Sequence, residues 1–445
     1  MKLFRPSPLL PLVTALGLAL SLPAGAQSLV ELYGAARSFD ASYQSAKSQF
    51  EAAQAKAAQA RAGVLPSAGL VLDSSRTNLV NRTDGAPRME NTFGANSASL
   101  SGSQPLYRPA NSITLKQGQK GADVAQAQLA AAEQDLVVRV AQAYFDVLTA
   151  QDSLTFVKAQ KAAVAEQLAS AKRNFEVGTS TITDTREAQA RHDLVIAQEI
   201  AAENDLRVKR IALDQLVGKP DSQPKALALP VTMPALQPDN VSEWVQQAQS
   251  SHPGIAQAKL ALDIAKLETD KARTGHQPTL DLYGNYKISQ ANGSGLSATD
   301  SRSNAATIGL SFSVPLFAGF AVQNRIKETL ALQDKAGSDL DAQQRKATQD
   351  TSSTFLNVLS LQGQVKALEA AEVSTQSALD ANKLGYQVGV RINIDVLNSQ
   401  SQLFDTKAKL AKARYDVLLT GLRLRQAAGN LKAEDLAPVN ALLAK

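Results

Sequence analysis

The stretch Tyr386–Gln400, Y-Q-V-G-V-R-I-N-I-D-V-L-N-S-Q, decides how this chain is built. It reads as one long helix stopping and another starting. Leu384 and Tyr386 end an alanine-rich periodic segment. Gly389 suits the left-handed conformation that closes a helix C-terminus. Asn393 is placed to cap the next helix, and Asp395 falls in its first turn, where the helix dipole favours an acid. Phe175–Gln189 repeats the device: Phe175 matches Tyr386, Gly178 matches Gly389, Asp184 matches Asp395 and Gln189 matches Gln400. Two such turns, about 211 residues apart, mean that the chain is built twice.

Working outward, each turn ends a long helix. From about 110 to 175, Leu136, Ala143, Ala150, Val157, Val164 and Ala171 recur every seventh residue. Val140, Val147, Leu154, Leu168 and Phe175 form the companion row, broken only by Lys161. This is a coiled-coil seam. At 1.5 Å per residue such a helix reaches roughly 90–100 Å, far beyond a compact domain. A return helix follows over about 183–217, and residues 219–240, with Pro220, Pro224, Pro230, Pro234 and Pro238, form a linker. The plan then restarts. The first repeat spans 27–218 and opens on a helix over 29–62. The second spans 241–429 and opens on a helix over 241–273, and residues 430–445 form a tail.

Composition narrows the chemistry. The 445 residues contain no cysteine and three histidines, which removes disulfides and thiol nucleophiles and disfavours a metal site. No GxSxG, HExxH or P-loop pattern is present, so no catalytic residue and no cofactor is expected. Lys2 and Arg5, the apolar run 9–22 and Ala24-Gly25-Ala26 read as a signal peptide over residues 1–26. Its removal takes the net charge from +5 to +3, too mild to argue for nucleic acid. Trp244 is expected to anchor a helix start by packing.

Each repeat also carries two strand-like stretches, about 68–76 and 92–107 in the first, 279–289 and 307–316 in the second. In the second repeat Leu280, Leu282, Tyr286 and Ile288 alternate with polar residues, as do Ile308, Leu310, Phe312, Val314 and Leu316. This is the pattern and length of a lipid-facing barrel strand. The segments 77–91 and 290–306 read as solvated loops. Four strands cannot close a barrel, and open sheet edges have no partner in lipid, so several chains must share one barrel. The fold class is therefore an α+β membrane protein of duplicated half-repeats, with four transmembrane strands per chain and long coiled-coil helices. Three chains would give a twelve-strand barrel with a lumen.

The duplicated order helix, strand, strand, long helix, return helix resembles the TolC family of outer-membrane efflux and secretion channels. The local matches are Phe175-Glu176-Val177-Gly178 with Thr183-Asp184, Tyr386-Gln387-Val388-Gly389 with Asp395-Val396-Leu397, Pro315-Leu316-Phe317-Ala318-Gly319, and Glu434-Asp435-Leu436. The resemblance implies a homotrimer whose barrel lies in outer-membrane lipid and whose helices form a periplasmic tunnel. It implies a periplasmic adaptor and an inner-membrane ABC or RND transporter as partners. Carried over, Val177, Gly178, Val388 and Gly389 are the adaptor-docking turns. Thr183, Asp184, Tyr386 and Arg391 occupy the closing polar network, and Asp395 lines the constriction. Asn398 stands where the archetype has a second aspartate, which implies a weaker cation preference.

Blander roles stand beside these. Asp184 and Asp395 also fit as first-turn acids, worth roughly 0.3–1 kcal/mol each. Phe175 and Tyr386 are expected to pack in the seam. The alternative to a conduit is a periplasmic coiled-coil scaffold without a pore, which explains the heptads but not the alternating strands. Cargo is not legible. The missing lipid-anchor cysteine leans towards type I protein secretion over dedicated multidrug efflux.

Overall fold

A computed structural model describes residues 26–85, 87–228, 230, 233–294 and 299–444. The signal peptide expected over 1–26 lies outside the described residues except for Ala26. The first repeat runs α1 (Leu29–Phe39), α2 (Ala41–Ala62), β1 (Ser67–Asn81), β2 (Met89–Tyr107), α3 (Pro109–Glu176) and α4 (Ile182–Val217). The second runs α5 (Val241–Ser251), α6 (Pro253–Arg273), β3 (Thr279–Asn292), β4 (Asp300–Ser313), α7 (Ala321–Gln387) and α8 (Asn393–Ala427). A short α9 (Leu436–Asn440) follows.

The long helices α3 and α7 span 68 and 67 residues, roughly 100 Å each. The seam rows are interior: Leu136, Val140, Val147, Ala150, Val164, Leu168 and Ala171 are buried. Lys161, their one polar break, donates to Glu199 of α4 at 2.5 Å, so the break is an ion pair across the coil. α3 and α8 pack against each other, with α4 on α3 and α7 on α8. Phe175 departs from expectation. It stands more than two-fifths exposed at the end of α3, where the helix stops before α8 can cover it.

Each opening helix, expected as one piece, is two. The first breaks at Asp40, whose carboxylate accepts from the Tyr43 N–H at 2.7 Å and caps α2. Arg139 of α3 then grips the same carboxylate, Nη1 to Oδ2 at 2.8 Å and Nη2 to Oδ1 at 3.0 Å. That guanidinium holds the Asp40 carboxyl below its ordinary range. The second breaks at His252, with Pro253 at the first helical position and the imidazole Nδ1 accepting from the Gly254 N–H at 3.1 Å. A proline has no N–H for the preceding turn, so the break at 253 was readable.

The linker and tail are more than connectors. Gln27 donates its N–H to the Gln223 carbonyl at 2.7 Å, and Ala228 donates to Leu442 at 2.9 Å. The segment at Gln27, the linker and the tail thus lie side by side. Tyr144 fixes them by donating its hydroxyl to the Lys225 carbonyl at 2.8 Å. Leu431, Leu436, Val439 and Leu443 of the tail bury into the main apolar cluster with Tyr144, Phe145 and Tyr415. Trp244 is buried and donates Nε1–H to Pro238 at 2.8 Å, as its anchoring role requires.

The four strands form one antiparallel sheet in the order β1-β2-β3-β4. Residues 77–81, 89–91, 290–292 and 300–306 belong to strands rather than loops. Serine and asparagine there pair as ladder positions because the backbone, not the side chain, makes the ladder. β4 ends at Ser313, so Val314 and Leu316, expected in the strand, lie outside it, beside Pro315, which has no N–H for a ladder. One face carries the rows Leu70–Leu100–Tyr286–Ala306, Leu282–Leu310 and Leu280–Phe312. The other carries Gly69–Ser101–Asn285–Thr307 and Asp73–Ser97–Ser289–Ser303. Ile308 sits mid-way along the apolar face and is 81% exposed in one chain. Ile308→Arg should cost about 2–4 kcal/mol per chain if that face meets lipid. Thr307→Arg on the other face should be tolerated. The check is the fraction of each variant recovered assembled from the outer membrane, and equal recovery would count against a lipid-facing sheet.

Candidate functional site

The two turns have the same geometry. Val177 and Val388 both cap their helices at φ −89° and ψ 1°. Gly178 and Gly389 follow at φ +80° and +79°, and a β-carbon added to either would meet nothing within 4 Å. After Gly178, Thr179 donates to Asn174 at 2.8 Å, and Gly178 to Phe175 at 3.0 Å. After Gly389, Val390 donates to Gly385 at 2.9 Å, and Gly389 to Tyr386 at 3.1 Å. This six-to-one and five-to-two pattern is the Schellman motif, which satisfies the last carbonyls of each helix. With the backbone paired internally, the side chains face outward. Phe175, Val177, Ile182, Leu384, Val388, Val390 and Ile392 are all exposed, a concentrated apolar surface at the ends of four helices.

The second helix of each pair starts differently. Thr181 caps α4 in a capping box with Asp184. The Asp184 carboxylate accepts from Ser180 Oγ at 2.8 Å, from the Thr181 N–H at 3.0 Å and from Thr181 Oγ1 at 2.8 Å. Burial pushes its carboxyl up, but these hydrogen bonds outweigh it and hold it below the ordinary range. Asn393 is not the cap of α8. Ile392 holds that position without a side-chain bond, and Asn393 is the first helical residue, fully buried. Its Oδ1 accepts from Gln167 of α3, and its Nδ2 donates to the Asp184 carbonyl of α4 at 3.3 Å. A polar amide at the helix start, read as a local cap, instead joins the two repeats.

Within one chain Thr183, Asp184, Tyr386 and Arg391 do not bond to one another. Asp184 is engaged in its capping box, and Thr183 is exposed. Tyr386 accepts from Asn174 Nδ2 at 3.3 Å and packs beside Leu379, Val396 and Leu403. Arg391 lies 3.6 Å from Asp395. Asn398 accepts from Arg191 Nη2 at 2.8 Å.

Residues that sequence reasoning passed over complete the site. Gln160, Gln167 and Asn174 recur every seventh residue of α3, beside the apolar seam. Gln160 donates to Ser401 at 3.3 Å, Gln167 bonds Asn393, and Asn174 bonds Tyr386. This polar row stitches the first coil to the second. Its heptad spacing was a readable signal, but its partners lie more than two hundred residues away.

The sequence profile for outer membrane efflux proteins matches residues 32–219 and 244–430, one match on each repeat. The chain is 35% identical to the outer membrane protein TolC of Vibrio cholerae, over 97% of this chain and 98% of that one. It is 30% identical to the alkaline protease secretion protein AprF of Pseudomonas aeruginosa, over 94% and 87%. Among solved structures, the Campylobacter jejuni CmeC outer membrane channel superposes with a TM-score of 0.77 at 17% identity, covering 100% of this chain and 98% of that one.

Proposed function

This chain belongs to the outer membrane efflux protein family, and from that premise we propose that three copies form a gated conduit that carries cargo from the periplasm through the outer membrane. The protein is an outer-membrane channel of the secretion and efflux type, with its helices in the periplasm. Trimeric closure, the gate residues and the partners are our reading. The observation that carries closure is that each chain is open on both flanks. β1 and β4 are the unpaired edges of the sheet, and an unpaired edge has no partner in lipid. On the helices, Leu194 and Val208 of α4 are exposed two heptads apart, as are Leu359 and Val373 of α7. Each repeat thus leaves one strand edge and one striped helix on its outer side, β1 with α4 in the first and β4 with α7 in the second. One neighbour on each side satisfies both at once, and three chains give twelve strands.

The apolar tip around Val177, Gly178, Val388 and Gly389 is the surface we assign to a periplasmic adaptor, itself bound to an inner-membrane transporter. At rest the return helices α4 and α8 close the tunnel, with Asp395 and Asn398 at its narrow point. Partner binding opens it only to the extent that the partners hold the open tip more tightly than the closed one. A relative named for protease secretion favours exported protein as one cargo.

The test is single-channel conductance of detergent-purified protein in a planar bilayer, with oligomer mass measured on the same sample. A trimer with a small, mostly closed conductance is expected. A monomer that stays soluble without detergent and never conducts would return the chain to the pore-free scaffold.

A further inference from the structure

We propose that the seam between neighbouring copies repeats the seam between the two halves of one chain. β4 then pairs with β1 of the next copy in one register, with Phe312 opposite Leu72, and Glu328 of α7 meets Lys56 of that copy's α2. This rests on the trimeric reading above and names the contacts that would make it. The duplication extends to individual contacts. Asp40 and His252 cap the equivalent helices α2 and α6, and Tyr43 and Ile255, three residues beyond each, are both buried. Pro66 and Pro105 correspond to Pro278 and Pro315. Counted from those prolines, the β1–β2 pairs Ser67–Ser103 and Leu70–Leu100 become Thr279–Ser313 and Leu282–Leu310, the pairs that β3 and β4 make.

Inside one chain the halves meet where β2 pairs with β3 and α3 packs on α6. Their counterparts are β4 with β1 and α7 with α2. Those strands are the open edges of the sheet, and α7 and α2 do not pack on each other within one chain. In the internal seam Gly102 lies opposite Gly284. Phe312 and Leu72 stand at their places, 67% and 71% exposed. Two apolar side chains directly opposed on neighbouring strands form a favourable cross-strand pair. On the helices, Gln117 donates to one oxygen of Glu268 at 2.8 Å, and Arg325 to the other at 2.6 Å. Glu328 stands at the place of Gln117 and Lys56 at the place of Glu268, so the acid changes sides. Lys56 is exposed, and among the described residues no carboxylate oxygen lies within 4.0 Å of its ammonium. Glu328 accepts from Arg325, one turn earlier, at 2.8 Å through Oε1, and its side chain remains 54% exposed. The internal ion pair of Lys120 and Asp263, at 3.6 Å, has Ala331 and Glu51 at its places and is not repeated. With α6 of a second copy on α7 instead, Glu268 would face Glu328. Like charges there disfavour joining two second halves, so first and second halves alternate around the ring.

The experiment is oxidative cross-linking of detergent-purified protein, with oligomer mass measured on the same samples. The chain has no cysteine, so introduced pairs report alone. Leu72 and Phe312 lie on opposite edges of one chain's sheet, three strand spacings or roughly 14 Å apart, too far for a disulfide within the chain. Leu72→Cys with Phe312→Cys should give covalently closed trimers that reductant separates. Asp73→Cys with Ser311→Cys, the adjacent pair on the other face, should do the same and leaves the lipid face untouched. Leu70→Cys with Phe312→Cys, one step along the same face, should stay unlinked. Linking through Leu70 but not Leu72 overturns the register, and trimers in which neither proposed pair links overturn the seam. Lys56→Glu should lower the heat-dissociation midpoint of the assembled protein by several degrees at low salt, and adding Glu328→Lys should restore it. A double variant no more stable than Lys56→Glu alone overturns the helical contact. Wild-type protein that is monomeric fails earlier, and removes the trimeric reading itself.

Discussion

Asn393→Ala is expected to raise the resting open probability of the channel about tenfold, the largest effect of any single change at the gate. The side chain is fully buried at the start of α8 and uses both ends of its amide, one on Gln167 and one on the Asp184 carbonyl. Alanine removes both hydrogen bonds, although the Asp184 carbonyl keeps its own bond within α4 and the Gln167 amide is only half-buried; at about 0.5–1.5 kcal/mol each, the two together come to about 1–3 kcal/mol. About 1.4 kcal/mol is a factor of ten in an equilibrium. In the gating proposed above, the closed arrangement keeps α8 against α3 and α4, so the cost falls there and is relieved when the coils part and water reaches the groups. Arg391→Ser tests the ranking. The Arg391–Asp395 pair is 3.6 Å long with both side chains at least a third exposed, and such pairs contribute about 0–1 kcal/mol. Open probability in bilayers should therefore rise less for Arg391→Ser than for Asn393→Ala. The reverse order would mean that contacts between chains, not this buried amide within one chain, hold the gate.

Gly429→Ala is expected to be the most damaging glycine substitution in the chain, although Gly429 lies far from the tip. Gly429 closes α8 at φ +75°, and an added β-carbon would sit 2.3 Å from His252 Cα and 2.6 Å from its backbone nitrogen. The obstacle is backbone at the break between α5 and α6, so no side chain can turn aside. The left-handed conformation costs a non-glycine residue about 1–2 kcal/mol, and overpacking adds about 1–3 kcal/mol. Gly389→Ala is the control, because φ is +79° there but nothing lies within 4 Å, leaving only the conformational cost. In heat-dissociation of the assembled protein, Gly429→Ala should fall well below Gly389→Ala. Equal midpoints would mean that the end of α8 shifts freely on the second repeat's opening helices, contrary to the packing seen.

Several features follow from local chemistry and were legible as such. The heptad rows need only a periodic side-chain pattern, and Gly178 and Gly389 need only a left-handed stop, so the coils and both turns are where the pattern puts them. Strand ends were misjudged at residues 77–81, 89–91, 290–292 and 300–306, because polar side chains hide a ladder made by the backbone, and at 314–316, where Pro315 has no N–H to give it. The division of 29–62 at Asp40 escaped because a capping aspartate inside a helical pattern looks like an ordinary surface acid. Its grip by Arg139, ninety-nine residues on, makes it a joint.

By itself the sequence determined that this chain is duplicated, that each half carries an amphipathic strand pair and a long coil, and that no enzyme signature accompanies them. These are properties of spacing, and spacing is written along the chain. Tertiary structure decided which polar residues matter at the tip. Asn393 passed for a cap, while Gln160, Gln167, Asn174 and Arg191 carried no mark at all. Their roles come from partners on the other repeat, brought within hydrogen-bond distance only when α8 packs against α3 and α4. A side chain's burial and its partner's charge are set by that packing, and no local pattern encodes them.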